Sequence, residues 1–199
     1  IEAVAGVTLD KISALCFGMP GYGENAPKDK LVKEQVKAWF PGVDCVMVND
    51  VEVGWAGALA LSPGIDVVSG TGSMAFGRDA SGKTARAGGW WSNEGSGWWL
   101  GYKTIELFLR QLDGRENKTP IFYILWDAFN LKKNEDIFEY TTDNLVGNRK
   151  NIAHVQIYLD KAADVGDQSA LKLYAMAGTL LAELAIGCAS QLKFEGKTK

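Results

Sequence analysis

Histidine and cysteine are scarce in this chain of 199 residues, which contains one histidine and three cysteines. Cys16, Cys45 and Cys188 are far apart in sequence, and each lies in an apolar run. An odd number of cysteines without a repeated spacing argues against a disulfide framework and against a zinc site. We therefore expect buried structural thiols in a reducing cytoplasm. The histidine, His154, has no nucleophile near it in sequence, which disfavours a Ser-His-Asp or Cys-His site.

Excess charge and long apolar runs are also missing. The net charge is −3 and no basic patch stands out, so we expect no nucleic-acid partner. No uninterrupted apolar run reaches the roughly 18 residues of a membrane span, so we expect no membrane partner. The composition, 47% hydrophobic and 23% charged, is ordinary for a soluble globular protein of one large domain or two small ones.

The pattern of predicted elements changes near residue 63. Before it, apolar runs and helical spacings alternate: strand 11–17, a glycine-rich loop at 18–23, helix 29–40, strand 44–48 and helix 51–61. After it, three short strands predict an antiparallel meander: 65–69, 73–78 and 83–87. Helices follow at about 94–112, 119–130, 134–144, 150–163 and 167–193. We therefore divide the chain at 63/64, between an alternating part and a part with a meander followed by helices.

A glycine turn, Ser69-Gly70-Thr71-Gly72-Ser73, connects the first two strands of the meander. Glycines in such a turn leave backbone N–H groups free to point at an anion and let phosphate oxygens approach closely. Thr71 and Ser73 add hydroxyl donors. Taken alone, the motif is weak, because a Gly-Thr-Gly turn is more often ordinary hairpin chemistry.

Asp50 follows the apolar strand 44–48. In α/β folds reactive groups lie at the ends of such strands, and a carboxylate there can accept a proton from a hydroxyl that attacks a phosphoryl group. The alternative is that Asp50 caps the helix beginning at Val51. Asn49 can serve as the cap instead, which would leave Asp50 free.

Residues 88–101 contain four tryptophans and five glycines. Asn93, Glu94 and Ser96 are predicted at the start of a helix, where exposed N–H groups favour polar ligands. Alternatively, the tryptophans fill the core and Asn93 caps the helix, which leaves the glycines unexplained. The loop from Gly18 to Gly23 either lines a cleft or is a plain connection.

In order and spacing, these pieces resemble the N-acetylglucosamine kinase and BadF/BadG/BcrA/BcrD ATPase family of the actin/hexokinase/Hsp70 superfamily. The resemblance covers nearly the whole chain. The residues that carry it are at 48–50, 64–76, 87–90, 94–101 and 163–178.

The resemblance implies an α/β, actin-like ATPase (ribonuclease H-like) fold with two lobes, and ATP and sugar bound between them. Residues 1–63 would be the end of the N-terminal lobe. Residues 64–199 would be most of a helix-rich C-terminal lobe. The implied enzyme is a cytoplasmic sugar kinase, an N-acetylglucosamine or glucosamine kinase-like phosphotransferase, and a homodimer is left open.

By the same resemblance, Asp50 is the catalytic base that deprotonates the sugar hydroxyl. The ATP phosphates would bind at Gly70, Thr71, Gly72 and Ser73, together with Mg²⁺. The implied sugar-binding residues are Gly18, Gly21, Trp90, Asn93 and Glu94.

The chain departs from the family pattern in three ways. The family's N-terminal Asp-Gly-Gly-Thr phosphate hairpin and its C-terminal adenosine motif are not found, so we expect a fragment without independent kinase activity. Met74 stands where the N-acetylglucosamine kinases have Asn, and Asn93 where they have Asp. The stretch between Trp90 and Glu94 is about three residues shorter than the family's. Because Met74 donates no hydrogen bond to a sugar, the sugar itself is not fixed by the resemblance.

Two alternatives remain open at this stage. One is an activator ATPase of an acyl-CoA dehydratase or reductase, which implies an iron–sulfur cluster with cysteine ligands at a dimer interface. None of the three cysteines lies in a segment that looks exposed. The other is a non-catalytic sugar-binding relative that keeps the fold, which the changes at Met74 and Asn93 allow.

Overall fold

The computed structural model describes residues 8–194. A short 3-10 turn, Leu9–Lys11, precedes the first strand. The strands are β1 (Ala14–Met19), β2 (Asp44–Asn49), β3 (Gly64–Ser69), β4 (Ser73–Arg78) and β5 (Thr84–Gly88). The helices are α1 (Ala26–Trp39), α2 (Asp50–Leu59), α3 (Gly97–Leu112), α4 (Pro120–Ala128), α5 (Asp136–Asn144), α6 (Arg149–His154), α7 (Gln156–Asp164) and α8 (Gln168–Ala189).

The first sheet is the parallel pair β1 and β2, connected through α1. Its register runs from Ala14 opposite Asp44 to Met19 opposite Asn49. Parallel strands place their carboxyl ends at the same edge of a sheet, where α/β folds bind their ligands. The loop after β1 and the start of α2 therefore lie side by side, and the side-chain amide of Asn49 donates to the Tyr22 carbonyl at 2.9 Å.

The burial expected for the cysteines is correct for Cys188 and wrong for Cys16, which is exposed, whereas Cys45 is half-buried. Along β1, exposed residues alternate with half-buried ones, and Cys16 is on the exposed side. An apolar run therefore did not establish burial, because alternate side chains of a strand point to opposite faces. Cys188 packs in the core, and this burial raises the pKa of its thiol.

The second sheet is the predicted antiparallel meander, with strand order β3-β4-β5. One face packs against α8 in a cluster that contains Ala75, Cys188 and Leu192. The opposite face meets α2 through Trp55, which is 1% exposed. The Trp55 ring lies 6.0 Å from the ring of Phe76, and its indole N–H donates to the Gly64 carbonyl at 3.2 Å. Helix α2 thus connects the two sheets.

The helical half has its own core around α3, α4 and α7, which contains the fully buried Phe108, Ile121, Leu125 and Leu159. Phe108 stacks on Phe122 with 5.1 Å between ring centroids. Asp167 links two helices, because its carboxylate caps α8 and also accepts from the Ile121 backbone amide at 2.8 Å. This packing holds the start of α3 next to the meander.

Helix α8 is long and apolar. By length and composition it could cross a membrane, with a mean hydropathy of 1.4 over an 18-residue window. In the structure it packs against both cores: Ala170 and Ala177 are buried in the core of the helical half, and Cys188 is buried against the meander. We interpret it as a packing helix.

Four predicted helix boundaries need correction. Helix α1 begins at Ala26 rather than 29. Helix α3 begins at Gly97 rather than 94, because Asn93 and Gly95 have positive φ angles of 47° and 73° and Ser96 caps the helix. The helix predicted at 150–163 is divided at Val155 into α6 and α7. The last helix ends at Ala189 rather than 193.

Asp79 ties the turn between β4 and β5 to the segment after α8. Its carboxylate accepts from the Ser81 hydroxyl at 2.6 Å and from the backbone amides of Ser81, Lys83 and Lys193. These hydrogen bonds, the Ser81 hydroxyl first, hold the pKa of Asp79 below its ordinary value of 3.8. A carboxyl with a lowered folded-state pKa stabilises the fold above its ordinary pKa, and that contribution is lost as the pH falls through the lower value.

Asp79→Asn in the full-length protein is therefore expected to lower the free energy of unfolding at neutral pH. The difference from the wild type should shrink below about pH 4, where the unfolded carboxyl becomes protonated. Urea denaturation at a series of pH values measures the free energy of unfolding of each protein and shows how their difference changes with pH. Asp10→Asn, at an exposed aspartate, is the control and should lower the free energy of unfolding at neutral pH less than Asp79→Asn does. A wild-type–Asp79→Asn difference that stays constant into acid would contradict the prediction.

Candidate functional site

A central cavity of about 400 Å³ lies where the loop after β1, the start of α2 and the turn between β3 and β4 meet. It opens at the carboxyl edge of the first sheet. Its lining residues are Pro20, Gly21, Glu24, Asn49, Asp50, Val51, Val68, Gly70, Thr71, Gly72, Ser73, Met74, Gly89 and Asn93. Segments that are up to about seventy residues apart in sequence thus form one site.

The glycine hairpin, Ser69 to Ser73, has few internal hydrogen bonds. The Gly70 amide donates to the Gly72 carbonyl at 2.9 Å, and the Gly97 amide donates to the Gly70 carbonyl at 2.8 Å. Among residues 8–194, the amides of Thr71 and Gly72 donate to no other group. They are available to an anion in the central cavity, because a turn that leaves successive N–H groups unpaired forms an anion-binding concavity.

The serines at the two ends of the hairpin hold it in place. The Ser73 hydroxyl donates to the Glu94 carbonyl at 2.6 Å, and the Ser69 hydroxyl donates to the Gly95 carbonyl at 3.3 Å. A Cβ on Gly72 would lie 2.8 Å from Oδ1 of Asn93, so a side chain there would displace the Asn93 amide. The hydroxyl expected as a ligand donor at Ser73 is therefore engaged within the protein.

Asp50 is the first residue of α2, and its exposed side chain lines the central cavity. Asn49 is the N-cap of this helix, and its Oδ1 accepts from the Val51 amide at 3.3 Å. Oδ1 of Asp50 accepts from the same amide at 3.1 Å. The carboxylate of Asp50 thus lies at the start of α2, beside the central cavity.

The predicted sugar-binding residues are divided between the lining and its surroundings. Gly21 and Asn93 line the central cavity. Gly18 belongs to β1 and packs against Val53, where a Cβ would approach to 2.6 Å. Trp90 is 70% exposed, and Glu94 is exposed and offers its carbonyl to Ser73. Gly18, Trp90 and Glu94 are outside the lining in this structure.

The conformation of Asn93 differs from both interpretations of the sequence. Its side-chain amide donates to the Trp91 carbonyl at 2.7 Å, and its backbone φ is 47°. Ser96 caps α3 in its place, with its hydroxyl accepting from the Trp99 amide at 3.2 Å. The interpretation of Asn93 as a helix cap is therefore wrong. Its side chain lies against the glycine hairpin, with Oδ1 at the wall of the central cavity.

Sequence reasoning did not identify Glu24 or Gly89, which both line the central cavity. Gly89 has a φ of 73°, and a Cβ there would lie 2.0 Å from Cε of Met74. The side chain of Met74 therefore lies over Gly89, and the dipeptide Gly88-Gly89 was the signal for this close approach. Glu24 directly follows the glycine-rich loop, and only its charge distinguished it.

A single ion pair among the described residues joins the loop after β1 to the meander. Nη1 of Arg86 on β5 donates to Oε1 of Glu24 at 2.5 Å. The Arg86 guanidinium also lies over the Trp90 ring, with its Cζ 4.4 Å from the centroid. Glu24, which lines the central cavity, is thus in contact with a guanidinium that itself stacks on an aromatic ring.

A model of the BadF/BadG/BcrA/BcrD ATPase family matches residues 2–198. The chain belongs to this family. The match covers both sheets, the glycine hairpin and all the described helices, as the resemblance in sequence predicted.

Two curated relatives are similar to this family member in sequence. An N-acetylmuramic acid/N-acetylglucosamine kinase of Clostridium acetobutylicum is 33% identical over 165 residues, which are 81% of this chain and 53% of the relative. An N-acetyl-D-glucosamine kinase of Dictyostelium discoideum is 26% identical over 166 residues, which are 79% of this chain and 50% of the relative. The chain spans about half the length of the curated relatives it matches.

Two solved structures, both of candidate N-acetylglucosamine kinases, share the fold. The one from Chromobacterium violaceum has a TM-score of 0.73 and 25% identity, and the match covers 96% of this chain and 65% of that one. The one from Porphyromonas gingivalis has a TM-score of 0.63 and 19% identity, with 93% and 62% covered. These matches confirm the predicted α/β, actin-like ATPase fold.

Proposed function

We propose that the protein transfers a phosphoryl group from ATP to a hydroxyl of an amino sugar or a related hexose, in the cytoplasm. The observation that carries the proposal is that Asp50 and the glycine hairpin line one cavity. Phosphoryl transfer needs a positioned hydroxyl, a group that accepts its proton, and donors that stabilise the phosphate charge. The kinase names of both curated relatives support the same chemistry.

In this proposal the glycine hairpin binds the ATP phosphates. The unpaired amides of Thr71 and Gly72 suit phosphate oxygens, and the missing side chains of Gly70 and Gly72 allow a close approach. Magnesium bound with the phosphates would neutralise part of their charge. The Ser73 hydroxyl contributes by holding the hairpin, since it is bonded to the Glu94 carbonyl.

Asp50 is proposed as the base that takes the proton of the attacking sugar hydroxyl. Its side chain is exposed in the central cavity. Oδ1 accepts from the Val51 amide, and Oδ2 has no hydrogen-bond partner among the described residues, which leaves it available to accept a proton. The sugar would lie between Asp50, Gly21 and Asn93. Gly18, Trp90 and Glu94 lie outside the lining, so any contact of theirs with the sugar requires the cleft to close around it, as kinases commonly do.

A panel of sugars tests the proposal. Purified full-length protein with ATP and Mg²⁺ is expected to release ADP in a coupled assay when N-acetylglucosamine, glucosamine or N-acetylmuramic acid is added. ADP release without any sugar, together with bound iron, would indicate the activator ATPase instead. Sugar binding without ADP release would indicate the non-catalytic relative. Either result would overturn the kinase proposal.

A further inference from the structure

Arg86 shares a sheet face with the wall of the central cavity. Arg86 on β5 pairs with Phe76 on β4. Two positions away on β4, Met74 pairs with Gly88. Side chains two positions apart on a strand point to the same side of the sheet. Arg86 is therefore on the side of Met74, which lines the central cavity, and away from the side that packs on α8.

The guanidinium of Arg86 is held in place but only partly used. It donates one described hydrogen bond, from Nη1 to Glu24, although a guanidinium has five N–H donors. Within residues 8–194, Nε and Nη2 have no hydrogen-bond partner. Trp90 covers one face of the group, and this stacking leaves the edge of the guanidinium plane available. The side chain is 26% exposed.

We propose that Arg86 determines which sugar this cavity selects. The free edge of its guanidinium binds a carboxylate carried by the amino sugar. The inference rests on the proposed function, since it assigns a substituent to the sugar of that reaction. Two parallel N–H···O bonds between arginine and a carboxylate are directional and strong. A neutral amino sugar offers no such partner and would leave Arg86 paired with Glu24 alone.

Glu24 sets how strongly this selectivity acts. It lines the central cavity and presents a negative charge that disfavours an acidic sugar. Arg86 offsets this charge through their ion pair. Removing the arginine would therefore leave the Glu24 carboxylate without this ion pair beside the ligand, whereas Glu24→Gln should improve binding of an acidic sugar.

The test compares N-acetylmuramic acid, which carries a carboxylate, with neutral N-acetylglucosamine in the full-length protein. Arg86→Gln is expected to lower kcat/KM for the acidic sugar about 10- to 100-fold, the usual effect of a lost charged hydrogen bond. The value for the neutral sugar and the KM for ATP should stay near those of the wild type. Arg86→Lys should fall between the two, because it keeps the charge and loses the bidentate geometry.

Arg78→Gln is the matched control, because Arg78 is on the same sheet face but lies over the Trp55 ring at 5.8 Å, whereas Arg86 is paired with Glu24, which lines the cavity. It should leave the ratio of the two sugars unchanged. An unchanged ratio in Arg86→Gln would overturn the inference. An equal loss for both sugars with a raised KM for ATP would also overturn it, and would assign Arg86 to the nucleotide phosphates.

Failure of the proposed function is a separate outcome. If the wild type phosphorylates neither sugar, the kinase proposal fails. Calorimetric titration of the wild type and Arg86→Gln with each sugar then still tests whether Arg86 binds the carboxylate. Preferential binding of N-acetylmuramic acid that Arg86→Gln abolishes would support the inference, and equal binding of both sugars by both proteins would contradict it.

Discussion

Asp50→Asn is expected to lower the turnover number of the full-length protein about a hundred- to ten-thousandfold, the usual contribution of a general base. The amide of asparagine cannot accept the proton of the attacking hydroxyl. It keeps the size of the side chain, and Asn49 remains the cap of α2. Nucleotide binding should therefore be largely intact. Steady-state ADP release and calorimetric titration with nucleotide measure the two quantities.

Glu52→Gln provides the control for this experiment. Glu52 is in the same first turn of α2, but it does not line the central cavity. Its replacement removes the same charge from the helix terminus without removing the proposed base. Turnover by Asp50→Asn close to that of the wild type would exclude Asp50 from the mechanism. A parallel loss of nucleotide binding would show that the substitution acts on the fold of the cavity instead.

Local patterns were sufficient to predict the framework of this site. The strand that ends at Asn49, the glycine hairpin and the meander each have a signal within about ten residues, from apolar periodicity or from glycine. The sequence offered both Asn49 and Asp50 as the cap of α2 without deciding between them, and the structure has Asn49 as the cap. These features depend on backbone chemistry that acts over a few residues, and such chemistry is visible in a sequence.

Contacts over long sequence separations were not predictable. Glu24 and Arg86 are 62 positions apart, and they meet because α2 packs Trp55 on the meander face. The exposure of Cys16 depends on which face of β1 is covered, and the apolar run around it does not show this. Between residues 150 and 163, neither proline nor glycine marks the break at Val155. Each of these depends on how elements pack against one another.

Gly101→Ala adds a single methyl group and is expected to lower the stability of the fold substantially. Gly101 is buried in α3 where α6 crosses it. A Cβ built there would lie 1.8 Å from the carbonyl oxygen of Ile152 and 2.8 Å from its carbonyl carbon. These are backbone atoms, so no side-chain rotation relieves the overlap and one helix must shift. Overpacking of this kind costs about 1–3 kcal/mol and sometimes more.

Gly178→Ala separates this steric effect from the ordinary effect of the substitution. Gly178 is inside α8, and no atom lies within 4 Å of a Cβ built there. Alanine is favoured over glycine in a helix by about 1 kcal/mol, so Gly178→Ala should stabilise the protein. Gly101→Ala gains the same helix propensity. A net loss of stability in this variant would therefore mean that the steric overlap costs more than the propensity gains. Denaturant unfolding of both variants gives the comparison, and equal stabilisation by both would contradict the close crossing of α3 and α6.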